Sequence, residues 1–163
     1  LPEVAVLGDG APWIWNLAAE HFGKRVEIVD FYHASEHGWT VANALYGQGS
    51  ALAKVWAEAR ANELRDQGAA PVQAALAAAH APTPAAQEVL RRERGYFRTN
   101  AARMDYPTFR EAGLPIGSGA VESSAGHLAQ QRLKRSGARW SEPGAQHVIN
   151  VRCQLASQKA AAA

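Results

Sequence analysis

Two carboxylates stand where a divalent metal could use them. Asp9 follows the apolar run Val4-Ala5-Val6-Leu7 between Gly8 and Gly10, and Glu122 follows Gly113-Leu114-Pro115-Ile116-Gly117-Ser118-Gly119-Ala120-Val121. The first position is the C-terminal end of a strand. The second is the opening turn of a helix that Ser118 can cap, where the positive end of the helix dipole favours the ionised acid. Hard cations such as Mg²⁺ use a few carboxylates together with waters and phosphate oxygens, and paired ions activate both the attacking and the leaving oxygen of a phosphodiester. Such a site ordinarily wants a third acid. Each residue also has a plainer reading: Asp9 as a turn residue capping the backbone before Pro12, Glu122 as part of an N-terminal cap. Taken singly, each stretch favours the plainer reading.

Asp30-Phe31-Tyr32-His33 and His37 form a second constellation. His33 and His37 are four positions apart and share a helix face, a spacing that can hold zinc, but the residues between them are Ala34-Ser35-Glu36 and no further His or Cys stands nearby. The reading preferred is structural: Asp30 accepts a hydrogen bond from His33 and fixes a strand-to-helix corner, which His37 helps to pack or cap. The five tryptophans are read mostly as core, Trp13 included, with Trp140 beside Arg139 the one best suited to stack on an unpaired base. Cys153 is the single cysteine, which excludes an internal disulfide, and it reads as a buried helix residue. There is no Walker A loop, dinucleotide fingerprint or G-x-S-x-G elbow.

The elements that must carry these residues follow from periodicity. Val4 to Leu7 reads as a buried strand, Pro12 to Phe22 as a helix with proline in its first turn, and Arg25 to Asp30 as a second strand. A right-handed crossover makes the strands parallel and puts Asp9 and Asp30 at one sheet edge. Helices are expected over roughly His33 to Tyr46, Ser50 to Gln67, Pro71 to His80 and Pro84 to Arg103. A break follows at Met104-Asp105-Tyr106-Pro107, then the glycine-rich approach, then helices from about Val121 to Arg135 and Glu142 to Ser157. The tail from Lys159 to Ala163 is expected to fray.

At 163 residues and 47% hydrophobic content the chain suits one domain with its own core. No apolar run nears the ~20 residues that span a bilayer, and no signal peptide pattern opens the chain, so the expectation is a cytoplasmic protein without membrane contact. It begins Leu1-Pro2 and its one methionine, Met104, is internal, which reads as a piece of a longer reading frame. The formal charge of +2 is no argument for nucleic acid, but its distribution is uneven. Arg132, Lys134, Arg135 and Arg139 fall within eight residues with no acid before Glu142. Arg91, Arg92, Arg94, Arg98 and Arg103 form a second cluster. Either could meet phosphates, and either could be a solvated helix face; nearness in sequence to Glu122 tips the first cluster towards phosphate.

Four segments in order carry a resemblance: Asp9-Gly10-Ala11-Pro12-Trp13-Ile14-Trp15, then Val29-Asp30-Phe31-Tyr32-His33-Ala34-Ser35-Glu36-His37, then Gly113 to Ser123, then Gln131-Arg132-Leu133-Lys134-Arg135-Ser136-Gly137-Ala138-Arg139-Trp140. Together they resemble the bacterial ISKra-type insertion-sequence transposases of the DDE class, over nearly the whole chain. The resemblance implies an α/β fold: a partial ribonuclease-H-like core, strand-helix-strand plus C-terminal helices, interrupted by an all-helical insertion. Residues 1–31 would be part of the core, 32–112 the insertion, and 113–163 the C-terminal core helices carrying the last acid. By position, Asp9 looks like the second acid of the catalytic triad and Glu122 like the third, both metal ligands, while Asp30 and His33 match a supporting D-x-x-H signature. The first aspartate would lie on a strand upstream of Leu1. Two Mg²⁺ or Mn²⁺ ions are then expected only in the complete site, and this chain alone would be inactive. Arg132, Lys134, Arg135, Arg139 and Trp140 would bind double-stranded DNA, element ends and target, in a homo-oligomer assembled on it. Relatives commonly carry a cysteine and a lysine shortly after the glutamate; here the chain reads Ser124-Ala125-Gly126-His127, and Gly126 offers no cation to a phosphate. The alternatives are a non-catalytic DNA-binding module, decayed or domesticated, and an unrelated metal hydrolase built on Asp30, His33 and His37.

Overall fold

The computed structural model describes residues 4–119 and 126–161. The chain divides into two compact units, Leu1–Ser118 and Gly119–Ala163. The first is mostly helical with one small parallel sheet, a mixed α/β arrangement.

Strand β1 (Val4–Gly8) leads through helix α1 (Pro12–His21) to strand β2 (Arg25–Val29). The strands pair in parallel, Val4 opposite Arg25 through to Gly8 opposite Val29, which is the arrangement a helical crossover imposes. Pro12 stands in the first turn of α1, where its missing N–H costs nothing. The helix turns Trp15 and Ala18 inward. Trp13, expected in the core, is 65% exposed. Two positions along a helix of 3.6 residues per turn are ~200° apart, so burying Trp15 turns Trp13 outward. Trp15 is fully buried at 6% exposure, Trp39 and Trp56 pack half-buried against the core, and Trp140 is exposed like Trp13.

Five helices follow: α2 (Phe31–Tyr46), α3 (Ala51–Gln67), α4 (Ala69–Ala78), α5 (Pro84–Asn100) and α6 (Tyr106–Glu111). The starts of three are written in side chains, since Asp30, Ser50 and Thr83 each accept the N–H three residues on, from His33, Ala53 and Ala86. Gly68 ends α3 and opens α4 with φ of 78°, a left-handed conformation that favours glycine. α2 packs on α3 and α5, and α4 on α3 and α5. Helix α5 stops at Asn100, earlier than expected, and a 3₁₀ turn, Ala101–Met104, leads to α6, where the sequence predicts only a break. Pro107 sits in the first turn of α6, so the proline that reads as a break starts a helix.

The strands and helices share one hydrophobic core: Ile28 and Val29 of β2 join Val41, Leu64, Leu76, Leu90, Phe97 and Tyr106. The Tyr106 hydroxyl donates to the Val29 carbonyl at 2.9 Å, and burial pushes its pKa far up, which keeps it a donor.

In the second unit a π-helical turn, Gly126–Gln130, runs into a helical turn, Gln131–Leu133, and after a loop comes helix α7 (Glu142–Ala161). The start of the expected helix at Val121 lies outside the described residues. Helix α7 runs past Ser157, where the helix is expected to end, and through Lys159 to Ala161 of the tail expected to fray, a stretch of strong helix formers. Cys153 is half-buried rather than buried. Arg152 Nε donates to the Leu128 carbonyl at 2.8 Å. No described helix is long and apolar enough to cross a membrane.

Candidate functional site

Parallel strands bring Asp9 and Asp30 to the same end of the sheet, and the two carboxylates have different surroundings. Asp9 is exposed. Its Oδ1 accepts the N–H of Ala11 at 2.8 Å, so the turn-capping reading is realised, while Oδ2 has no hydrogen bond among the described residues. The main-chain oxygen of Asp9 accepts from the hydroxyl of Tyr96 on α5 at 3.0 Å. Gly10 follows with φ of 97°, and a Cβ there would lie 2.9 Å from Tyr96 Cε2. That turn therefore rests on the tyrosine ring.

Asp30 is 7% exposed and both its oxygens are in use. Oδ1 accepts the main-chain N–H of His33 at 3.0 Å, and Oδ2 accepts that of Ser118 at 2.5 Å. The expected bond from His33 is thus made by its backbone, as an N-cap. The His33 imidazole lies elsewhere, 3.6 Å from Glu36 and edge-on to His37. Phe31 N–H donates to the Ile116 carbonyl at 2.8 Å, so the glycine-rich approach is docked at the end of β2. A Cβ on Gly117 would meet the Tyr32 ring at 2.8 Å, which is why this contact takes a glycine. Glu122, four positions beyond Ser118, lies outside the described residues.

His37 does not cap the strand-to-helix corner. It reaches α5, where Nδ1 sits 2.5 Å from Oε2 of Glu93 and the imidazole stacks on Tyr96, centroids 3.7 Å apart. Glu93 is 1% exposed, and Arg92 holds its other oxygen at 2.8 Å. Burial pushes the Glu93 pKa up, but the hydrogen bonds from His37 and Arg92 outweigh it and leave the acid below its ordinary value. Burial, then the negative charges of Asp9, Glu93 and Asp30, push the Tyr96 phenol far up, so it remains protonated and donates. Sequence reasoning does not find Glu93 or Tyr96. A signal existed: the buried stripe of α5 runs Ala86, Leu90, Glu93, Phe97, Asn100, and a glutamate in that stripe needs a partner.

Among the described residues no three His, Cys, Asp or Glu side chains are grouped so as to hold a metal. Asp30, each of whose oxygens accepts a backbone amide, is not grouped with His33 and His37 as a metal site. Asp9 Oδ2 is a carboxylate oxygen of the kind that hard cations such as Mg²⁺ take, and among the described residues it is not grouped with further ligands.

The two basic clusters also differ. On α5, Arg91 pairs with Glu88, Arg92 with Glu93, and Arg94 donates to the carbonyls of Leu76, Ala77 and Ala79 at the end of α4. Arg103 pairs with Glu27 at 2.6 Å and lies over the Trp15 ring. These cations are mostly structural. In the second unit Arg132, Lys134, Arg135 and Arg139 are exposed, and none pairs with an acid among the described residues. The Arg132 guanidinium lies 5.7 Å from the centroid of Trp140, itself 38% exposed.

Compared with protein-family models, curated proteins and solved structures, the chain matches none of them.

Proposed function

We propose that the chain is the C-terminal part of the catalytic core of a DDE-class transposase, of the kind its ISKra-type motifs resemble, and that the complete protein cleaves and joins DNA. The observation that carries this reading is the sheet end: an exposed Asp9 carboxylate closes β1, and Asp30 at the end of β2 receives the glycine-rich segment that leads to Glu122. In a ribonuclease-H-like core the first aspartate would stand on an upstream strand beside β1, whose only partner among the described strands is β2. Bound Mg²⁺ or Mn²⁺ would polarise the phosphodiester and stabilise charge on the attacking and leaving oxygens. Asp9 Oδ2 and Glu122 would hold the ions, water would attack first, and a 3′-hydroxyl second. Arg132, Lys134, Arg135 and Arg139 would follow the phosphate backbone, with Trp140 placed to stack on a base.

The test is strand cleavage of element-end DNA in Mg²⁺ by the protein carrying its upstream segment. Asp9→Asn and Glu122→Gln should each abolish cleavage while DNA binding persists; full activity in either variant contradicts the assignment. The basic loop, whose cations meet no acid among the described residues, also favours a second reading, a non-catalytic DNA-binding module. Salt-sensitive binding with no Mg²⁺-dependent cleavage by that longer protein supports the module instead.

A further inference from the structure

We propose that the helical insertion sets the position of Asp9 through Tyr96, and that the His37–Glu93 pair is what orients Tyr96. The functional importance of this rests on reading Asp9 as a metal ligand; the positioning itself does not.

Tyr96 stands 87 positions from Asp9 and supports its turn: the hydroxyl holds the Asp9 carbonyl at 3.0 Å, and the ring, together with Asn100 Nδ2 at 3.1 Å from a Cβ there, fills the space a side chain at Gly10 would need. The Ala11 amide restrains the same residue at Oδ1. Asp9 is therefore held at its main chain by the insertion and at one carboxylate oxygen by its own turn, with Oδ2 left for a ligand. A ligating carboxylate performs only as well as the groups that orient it.

The tyrosine is in turn oriented by a hydrogen-bonded pair. The His37 imidazole lies 18° from parallel with the Tyr96 ring, and a carboxylate only accepts, so His37 Nδ1 carries the proton that bonds Glu93. Glu93 and Tyr96 are three positions apart on α5 and share a face. A hydrogen bond to a buried carboxylate fixes direction, which packed hydrocarbon does not. The arrangement runs from Arg92 through Glu93 and His37 to the face of Tyr96, and from its hydroxyl to the backbone of Asp9. Each of these residues apart from Asp9 belongs to α2 or α5.

The experiment uses the protein carrying its upstream segment, ¹⁵N-labelled, with Tyr96→Phe, which keeps the ring and removes the hydroxyl, and His37→Phe, which keeps an aromatic ring for stacking and removes the pair. Glu93→Gln is a third variant, read where it folds. Amide exchange and paramagnetic broadening by Mn²⁺ are followed at Gly10 and Ala11, with Leu64 and Val72 as distant reporters. Tyr96→Phe and His37→Phe should both speed exchange at Ala11 about tenfold and weaken Mn²⁺ broadening there severalfold, with Leu64 and Val72 unchanged. A merely structural role would move all four amides together. Exchange at Ala11 equal to the parent's in Tyr96→Phe, or a change spread evenly over the distant reporters, overturns the proposal. Faster exchange at Ala11 with no Mn²⁺ broadening in the parent supports the positioning and overturns the metal-ligand reading of Asp9.

Discussion

The carboxylate of Asp30 ties the end of β2 to Ser118, 88 positions further on, through the Ser118 main-chain N–H, while its other oxygen caps α2 through His33. One side chain thus ends a strand, starts a helix and fastens the glycine-rich segment that leads to Glu122. Asp30 is the structural hub of the sheet end, and Asp9 is the acid left exposed beside it.

Replacing that hub removes a helix cap and strands the half-buried amide of Ser118. Asp30→Ala should lower stability by about 2–4 kcal/mol, the sum of a lost cap and a lost charge-assisted hydrogen bond. Asp30→Asn, which can still accept from one amide, should cost about half as much. Urea denaturation of the two variants measures both, and an Asp30→Ala cost below that of Asp30→Asn would contradict the role.

Gly10 should tolerate no side chain. Its φ of 97° is unfavourable for alanine, and a Cβ would press on the Tyr96 ring at 2.9 Å. Gly10→Ala is expected to destabilise by about 1–3 kcal/mol. Gly23→Ala is the control, since a Cβ there meets nothing within 4 Å. Thermal unfolding compares them.

Acid should weaken the first unit through two glutamates. Burial raises the pKa of Glu27 and of Glu93, but hydrogen bonds from Arg103 and Arg25 to the first, and from His37 and Arg92 to the second, bring both below the ordinary 4.5. A folded-state pKa below the unfolded one means a contribution fully present above 4.5 and lost as pH falls through the folded value. Urea midpoints should be flat from pH 7 to about 5 as far as these groups are concerned and fall below it. In Glu27→Gln the fall should be shallower.

If the segment from Arg132 to Arg139 tracks DNA phosphates, each cation removed should reduce the salt dependence of binding. Replacing Arg132, Lys134, Arg135 or Arg139 by alanine should lower the slope of log K against log salt by about 0.9 for each phosphate no longer neutralised. Arg94→Ala, which removes a cation that caps α4, should leave that slope unchanged. Fluorescence anisotropy over a salt series reads both.

How much of this is legible in residues alone depends on range. The parallel strands, the helix starts at Asp30, Ser50 and Thr83, and the stops at Gly47 and Gly68 are written in neighbouring residues, and those elements match expectation within a few positions. Asp9 and Asp30 at one sheet end follow from the same local pattern. The partners of His37 are not legible, because Glu93 is 56 positions away on another helix and nothing beside His37 marks it. The outward turn of Trp13 escapes for a related reason: tryptophan's size argues for burial, yet α1 has one inward face and Trp15 occupies it. Glu93 is concealed among arginines, although its place on the α5 stripe sets it apart.

Whether Asp9 and Glu122 serve one metal site, as proposed, can be read by local scission with bound iron. With Fe²⁺ replacing Mg²⁺ in the protein carrying its upstream segment, ascorbate and peroxide cut the backbone beside the metal. A shared site gives cuts near both Asp9 and Glu122, suppressed together by excess Mg²⁺ and lost together in Asp9→Asn. Cuts at only one of the two, or cuts near Glu122 that persist in Asp9→Asn, would contradict it.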